Sequence, residues 1–141
     1  MLYDITNSLN PKRGMSPVAA TTDDTAYVSQ ILDCQGLYGA MFVLLTGSIA
    51  DVDATFTVLV QHGDVSNLSD AVAVPDDELN GTEALATPLF SSDDKCFKIG
   101  YRGNKRYVRV TVTPAANTGN IFMAGTWITQ PLIVPAVNPP N

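Results

Sequence analysis

The sequence lacks most of the residues from which catalytic and metal sites are built. Its 141 residues include one histidine, His62, and two cysteines, Cys34 and Cys96. A Ser/His/Asp or Cys/His arrangement would have to use that single histidine, and no nucleophile-elbow pattern surrounds it. The cysteines lie far apart without metal-ligand spacing, and the acidic pair Asp93-Asp94 matches no EF-hand loop. These absences predict a protein that is not an enzyme and that needs no cofactor or metal.

Acidic residues are absent from the last third of the chain. All fourteen Asp and Glu residues lie in residues 1–94, together with two basic residues, whereas residues 95–141 carry six Lys or Arg. The formal charges of the two parts are 2 − 14 = −12 and +6, which sum to the net charge of −6. This division suits docking against opposite charge, either on the chain's own acidic part or on a partner.

Neither a nucleic-acid partner nor a membrane partner is expected. The basic tract mixes its cations with Phe97, Tyr101 and Tyr107, as single-strand binders do, but a net charge of −6 repels a polyanion elsewhere on the surface. The longest nearly uncharged apolar stretch, residues 37–50, is interrupted by glycine and hydroxyl residues and is too short to span a bilayer.

A sustained helical period is also missing, and alternating residues predict strands instead. At residues 106–113, Val108, Val110 and Val112 alternate with polar or aromatic residues until Pro114. Residues 39–46 are apolar on both faces and are therefore predicted to form a central strand that is covered on both sides. Further strands are predicted at 27–34, 54–61, 71–74, 95–101 and 121–129, with another candidate near 85–90.

Short strands separated by turns predict an all-β fold, an antiparallel jelly-roll-like β-sandwich with extended N- and C-terminal arms. The predicted organisation is an arm at residues 1–24, a sandwich at 25–130 and a proline-rich arm at 131–141. The first arm contains Pro11, Gly14 and Pro17 and shows no strand period. Because both arms carry apolar residues, we expect them to lie on a partner's surface. Removing residues 1–20 is then expected to leave the fold intact.

The basic tract and the strand that follows it carry a family resemblance. Residues 98–113, KIGYRGNKRYVRVTVT, are followed by a glycine-containing turn and a final apolar strand at 121–128. With its arms and all-β centre, the chain resembles capsid cement (decoration) proteins of tailed bacteriophages, of the jelly-roll type. The resemblance implies a non-enzymatic homodimer that binds the outer surface of a capsid, bridges subunits of the major capsid protein and stabilises the head. It also implies a place on the virion exterior after assembly in the host bacterial cytoplasm.

The residues predicted to contact the capsid or a sister subunit come from the arms, the basic tract and the last strand. They are Leu2, Tyr3, Ile5, Leu9, Lys12, Arg13, Arg102, Lys105, Arg106, Arg109, Trp127, Leu132, Ile133 and Val134. Because Trp127 lies within an apolar strand, burial in the core is the competing interpretation for it. The alternative function is a carbohydrate- or receptor-binding jelly roll of a phage tail or fibre, with Trp127, Tyr101 or Tyr107 as aromatic platforms.

Overall fold

The computed structural model describes residues 4–133, which form ten strands and one short α-helix. Leu2, Tyr3 and Val134, and with them the outer parts of both predicted arms, lie outside the described residues. The strands and the helix follow one another as β1 (Asn10–Met15), β2 (Tyr27–Val28), β3 (Leu32–Asp33), β4 (Leu37–Ile49), β5 (Thr55–Gly63), β6 (Val72–Ala73), β7 (Leu79–Asn80), α1 (Glu83–Ala86), β8 (Cys96–Tyr101), β9 (Tyr107–Ala115) and β10 (Ile121–Pro131).

The strands form two antiparallel sheets. Sheet A has the order β1-β10-β4-β8-β7, and sheet B has the order β2-β9-β5-β6, with β3 also paired to β9. The core lies between the sheets, because every second residue of the long strands points inward. In β9 these residues are Val108, Val110 and Val112, all fully buried. The predicted all-β, antiparallel, jelly-roll-like sandwich is confirmed.

The predicted N-terminal arm is in part an edge strand. Residues 10–15 form β1 and pair with β10, with Asn10 opposite Thr129 and Met15 opposite Gly125. Pro11 fits an edge strand, because the outer side of such a strand needs no N–H donor. Gly14 is a packing position, since a Cβ atom there would stand 2.6 Å from a ring atom of Phe42. Pro11 and Gly14, which suggested an irregular arm, therefore both have structural roles in the sheet.

The strand predicted at 27–34 is divided into β2 and β3. Between them, the Ser29 N–H donates to the Val110 carbonyl of sheet B at 2.8 Å, and the Gln30 N–H donates to the Gly14 carbonyl of sheet A, also at 2.8 Å. The backbone at this point therefore bonds to both sheets in turn, which breaks a continuous ladder and closes one side of the sandwich.

The strand considered near residues 85–90 is wrong, because that region holds α1. The Thr82 hydroxyl accepts a hydrogen bond from the Leu85 N–H at 3.2 Å and caps the helix. Ala86 is buried against the core, and the Glu83 carboxylate accepts from the Val60 N–H of β5. α1 therefore covers the edge of β5, where the short β6 leaves backbone groups without strand partners. In the part of the chain that is described, no helix has the length and apolar character needed to cross a membrane.

Candidate docking surfaces

The outer face of sheet A is apolar and uncovered within residues 4–133. On β4, Phe42 and Leu44 point into the core, whereas the alternate residues point outward, with Leu45 45% exposed. Direct pairing places Ala124 of β10 and Cys96 of β8 on either side of Leu45. We call this surface the apolar face, and it consists of Met41, Val43, Leu45, Cys96, Phe122, Ala124 and Ile128.

The prediction that residues 39–46 are covered on both sides is not met within residues 4–133, where the outer side stays open. On this side Met41 and Val43 remain only half-buried, and Phe122 is 44% exposed. No other described element of the chain packs there. An apolar patch that a chain leaves uncovered marks an interaction site.

A row of four side chains crosses the apolar face with a cation at each end. Arg13 pairs with Thr126, Thr126 with Val43, and Val43 with Lys98, so all four share one face of sheet A. Arg13 and Lys98 are exposed, and neither takes part in an ion pair among the described residues. Arg13 was predicted as a contact residue, whereas Lys98 was missed, because its place became evident only from the register with β4.

The outer face of sheet B is polar by comparison. Direct pairs across β5 and β9 there include Thr57 with Thr113 and Gln61 with Arg109. Arg109, predicted as a contact residue, is half-buried and donates from Nη2 to the Gln61 side-chain oxygen at 2.8 Å. The structure therefore separates Arg109 from the cations of sheet A, on the opposite side of the molecule.

A second surface is a cleft at the end of the sandwich where β4 begins. We call it the end cleft; it has a volume of about 1210 Å³ and lies between residues 34–41 and the turn at residues 102–106. Three predicted contact residues, Arg102, Lys105 and Arg106, line it. Leu9 and Lys98 line it as well, so residues from sheet A and from the N-terminal segment meet the basic turn here.

Two of the cations at the end cleft are held by aspartates. Arg106 donates from Nε and Nη2 to the two carboxylate oxygens of Asp33, at 3.0 and 2.8 Å. The Lys105 ammonium forms an ion pair with Asp64. Arg102 is exposed and forms no side-chain hydrogen bond within the described chain. The cleft therefore has fixed cations at its rim and free cations at Arg102 and Lys98.

The buried tyrosine at the end of β8 holds the basic turn in place. The Tyr101 hydroxyl accepts from the Lys105 N–H at 3.1 Å and lies 3.0 Å from His62 Nδ1. Burial raises the pKa of Tyr101 to about 12, so its hydroxyl stays protonated at neutral pH. His62 is itself buried within β5. Tyr101 acts as a positioning residue for the turn and is not exposed to a ligand.

Aromatic platforms predicted for the carbohydrate alternative are mostly inside the protein. Trp127 is 1% exposed and Tyr101 is buried, so both predictions are wrong. The reason is the alternation of β10 and β8, which points both side chains between the sheets. Tyr107 is half-buried under the guanidinium of Arg106, 5.1 Å from the ring centroid. Trp127 is therefore a core residue and not a contact residue.

The arm residues that can be placed are at the surface. Ile5, Leu132 and Ile133 are exposed, and Leu9 is half-buried at the end cleft. Lys12 pairs with Trp127 across β1 and β10 and is half-buried at the sheet edge. These placements agree with a contact role for the exposed residues without testing it.

The described residues also bear on metal binding and on thiol reactivity. Residues 4–133 contain no group of three or more His, Cys, Asp and Glu side chains placed to share a metal ion. Burial, followed by the neighbouring Asp33 carboxylate, raises the pKa of the Cys34 thiol to about 11, which leaves it protonated and unreactive near pH 7.

The ion pair at the rim of the end cleft predicts a pH dependence. The hydrogen bonds from Arg106 lower the pKa of Asp33 below 3.8 in the folded chain. The pair therefore contributes stability above pH 3.8, and this contribution is lost as the pH falls through the lower folded-state pKa. We expect Arg106→Gln to unfold at a slightly lower temperature than wild type at pH 6, and we expect this difference to be smaller at pH 2, in parallel thermal melts. A difference that persisted unchanged at pH 2 would contradict this assignment.

Comparisons with known proteins show distant structural likeness only. No protein-family model matches the chain, and no curated protein matches it significantly. The C-terminal family 22 carbohydrate-binding module of Clostridium thermocellum Xyn10B is similar with a TM-score of 0.42 and 10% identity, over 92% of this chain and 98% of that one. The CBM22-1 xylan-binding domain of Paenibacillus barcinonensis Xyn10C gives 0.44 and 8%, over 91% and 88%.

The CBM22-1 and GH10 modules of Clostridium thermocellum Xyn10B, solved with xylohexaose, give a TM-score of 0.44 and 11% identity. This likeness covers 89% of the present chain but only 26% of that longer protein. Likeness at these identities and TM-scores assigns no function to the present chain.

Proposed function

We propose that this chain is a non-enzymatic structural protein that binds the outer surface of a phage capsid and cements neighbouring subunits of the major capsid protein. The homodimer and the location on the virion exterior belong to the same proposal. The observation that carries it is the apolar face of sheet A, a broad apolar surface that stays open within residues 4–133.

The physical basis is the burial of apolar surface. Covering apolar area contributes roughly 25 cal/mol per Å² before the costs of association, and Leu45 and Phe122 provide large exposed side chains for it. Arg13 and Lys98, at the two ends of the row, supply charges that orient a partner with acidic groups. Weak contacts of this kind act together when many copies bind one lattice.

Shell binding tests the proposal directly. The variant Leu45→Glu places a charge in the middle of the apolar face, and Thr57→Glu places the same charge on the exposed outer face of sheet B as a matched control. With shells of the parent phage assembled without this chain, we expect Leu45→Glu to weaken binding by at least about thirtyfold, about 2 kcal/mol for a residue at the centre of an interface. Thr57→Glu is expected to bind as wild type does.

Co-sedimentation with the shells, combined with thermal melts of each variant, measures the effect and shows that the variants are folded. The proposal fails if the wild-type chain does not bind the shells, or if the two variants bind equally well.

Carbohydrate binding is a second candidate function because of one residue, Tyr38. Its side chain is 76% exposed and lines the end cleft beside the amide of Gln35. An exposed ring next to hydrogen-bonding amides suits stacking against a sugar. Among the described residues the cleft has no second exposed ring, since Tyr101 is buried, and this places the candidate behind the structural role.

A further inference from the structure

We propose that the end cleft binds an extended acidic segment of a partner protein, with Arg102 and Lys98 as the residues that pair with its carboxylates. The inference rests on the proposed function only in taking that partner to be the major capsid protein. The end cleft shares Met41 and Ile128 with the apolar face and Lys98 with the row that crosses it, and it adds Arg102 to the free cations of that surface.

The end cleft is lined by more cations than carboxylates. Four cations line it, Lys98, Arg102, Lys105 and Arg106, against one carboxylate, Asp64. Asp33 and Asp64 neutralise Arg106 and Lys105, which leaves Lys98 and Arg102 exposed and without a partner among residues 4–133. Two free cations on the wall of one cleft attract a ligand that carries at least two negative charges.

The lining between these cations combines apolar side chains with amides. Leu37, Met41 and Ile128 contribute apolar surface, whereas Asn80, Asn104 and Gln130 contribute amides. Each amide side chain both donates and accepts, which matches the alternating N–H and C=O groups of an extended peptide backbone. The ligand that complements this lining carries carboxylates, apolar side chains and unpaired backbone groups, and is therefore a segment of polypeptide.

The cleft is less suited to nucleic acid, the other anionic polymer, than to an acidic peptide. Single-stranded nucleic acid binds where cations alternate with rings on which bases can stack. At this cleft Tyr101 is buried in the core, and the Arg106 guanidinium lies over Tyr107, so Tyr38 is the one exposed ring among the described lining residues. The cations therefore stand without a stacking surface, which favours carboxylates over bases.

The basic turn is also ordered before any ligand arrives. The Tyr101 hydroxyl bonds to the backbone of Lys105 at 3.1 Å, the Arg102 N–H donates to the Glu78 carbonyl at 2.9 Å, and Asp33 holds Arg106 through two hydrogen bonds. A rim that is held in this way loses little conformational entropy on binding. The Arg102 side chain, by contrast, is free, so its replacement is expected to leave the fold unchanged.

The test uses the purified full chain and fluorescein-labelled hexaglutamate as the probe, measured by fluorescence anisotropy at low salt. We expect saturable binding that weakens as salt is raised, because screening shortens the range of charge attraction to about 8 Å at 0.15 M. Arg102→Glu is expected to weaken binding at least tenfold. The matched control is Lys95→Glu, which reverses an exposed lysine that does not line the cleft, and it is expected to change binding less than twofold.

Three further probes give results that decide between ligands. Hexaserine, which has the backbone without the charges, is expected to bind much more weakly than hexaglutamate. Hexathymidylate that bound as tightly as hexaglutamate, or xylohexaose that bound while hexaglutamate did not, would overturn the inference in favour of a nucleic acid or a sugar. Equal losses in Arg102→Glu and Lys95→Glu would also overturn it, since they would show a general charge effect.

Failure of this inference can be told apart from failure of the proposed function. If hexaglutamate does not bind while Leu45→Glu still prevents shell binding, the cleft assignment is wrong and the cement role stands. If the chain binds hexaglutamate through Arg102 but never binds shells, the cleft assignment stands and the partner is another protein.

Discussion

Replacing Trp127 with alanine is expected to lower the free energy of unfolding by about 3–5 kcal/mol, the usual cost of removing a large aromatic side chain from a core. Trp127 is 1% exposed and contacts Phe42 edge to face, with the ring centroids 5.0 Å apart. Its indole N–H donates to the Gln30 carbonyl at 3.3 Å. The substitution therefore removes a filled volume, an aromatic pair and a bond between the two sides of the sandwich.

Urea unfolding followed by circular dichroism measures this loss, and Tyr38→Ala serves as the control. Tyr38 is an aromatic residue on the neighbouring β4 that is 76% exposed, so its removal is expected to change stability by less than about 0.5 kcal/mol. A Trp127→Ala variant with wild-type stability but impaired shell binding would instead place Trp127 at an interface, as the sequence alone had allowed.

Deleting residues 1–20 is expected to prevent cooperative folding or to remove most of the stability of the domain. The deletion takes away β1 and with it Met15, which is 5% exposed in the core. Truncating one buried methionine typically costs about 2–5 kcal/mol, and a domain of this size is stable by only about 5–15 kcal/mol. The deletion also leaves the edge of β10 without the strand that pairs with Thr126, Trp127 and Thr129.

The matched control is a shorter deletion of residues 1–8, which leaves β1 intact. Thermal melts should show a cooperative transition near that of wild type for the shorter deletion and none, or a much lower one, for the longer. If both truncated chains melt as wild type does, residues 10–15 are dispensable to the sandwich and the original interpretation of this segment as an arm is correct. The shorter deletion is also the proper variant for testing whether the N-terminal residues contact a shell.

The difference between the two outer faces connects the fold to the proposed function. Sheet B presents threonine pairs such as Thr57 with Thr113 to solvent, whereas sheet A presents Val43 and Leu45. The difference arises because β4 is apolar at every position from Met41 to Leu45, so that one of its faces is buried against sheet B and the other is left open within the described residues. The proposed cement role assigns the open face of β4 to the capsid surface.

The sequence by itself determined the fold class, the positions of the long strands and the scarcity of catalytic side chains. These properties are local, because an alternation such as that of Val108, Val110 and Val112 depends only on neighbouring residues. The apolar character of both faces of residues 39–46 was also evident from the sequence, whereas the exposure of the outer face was not.

Only the tertiary structure decided which residues meet. These contacts join segments that are distant in the chain. Asn10 pairs with Thr129, and Lys98 shares a row with Arg13. Asp33 and Asp64 form ion pairs with two of the four cations at the end cleft. The same contacts turned part of a predicted arm into an edge strand and Trp127 into a core residue. Sheet order is set by the joint packing of all strands, and no local pattern encodes it.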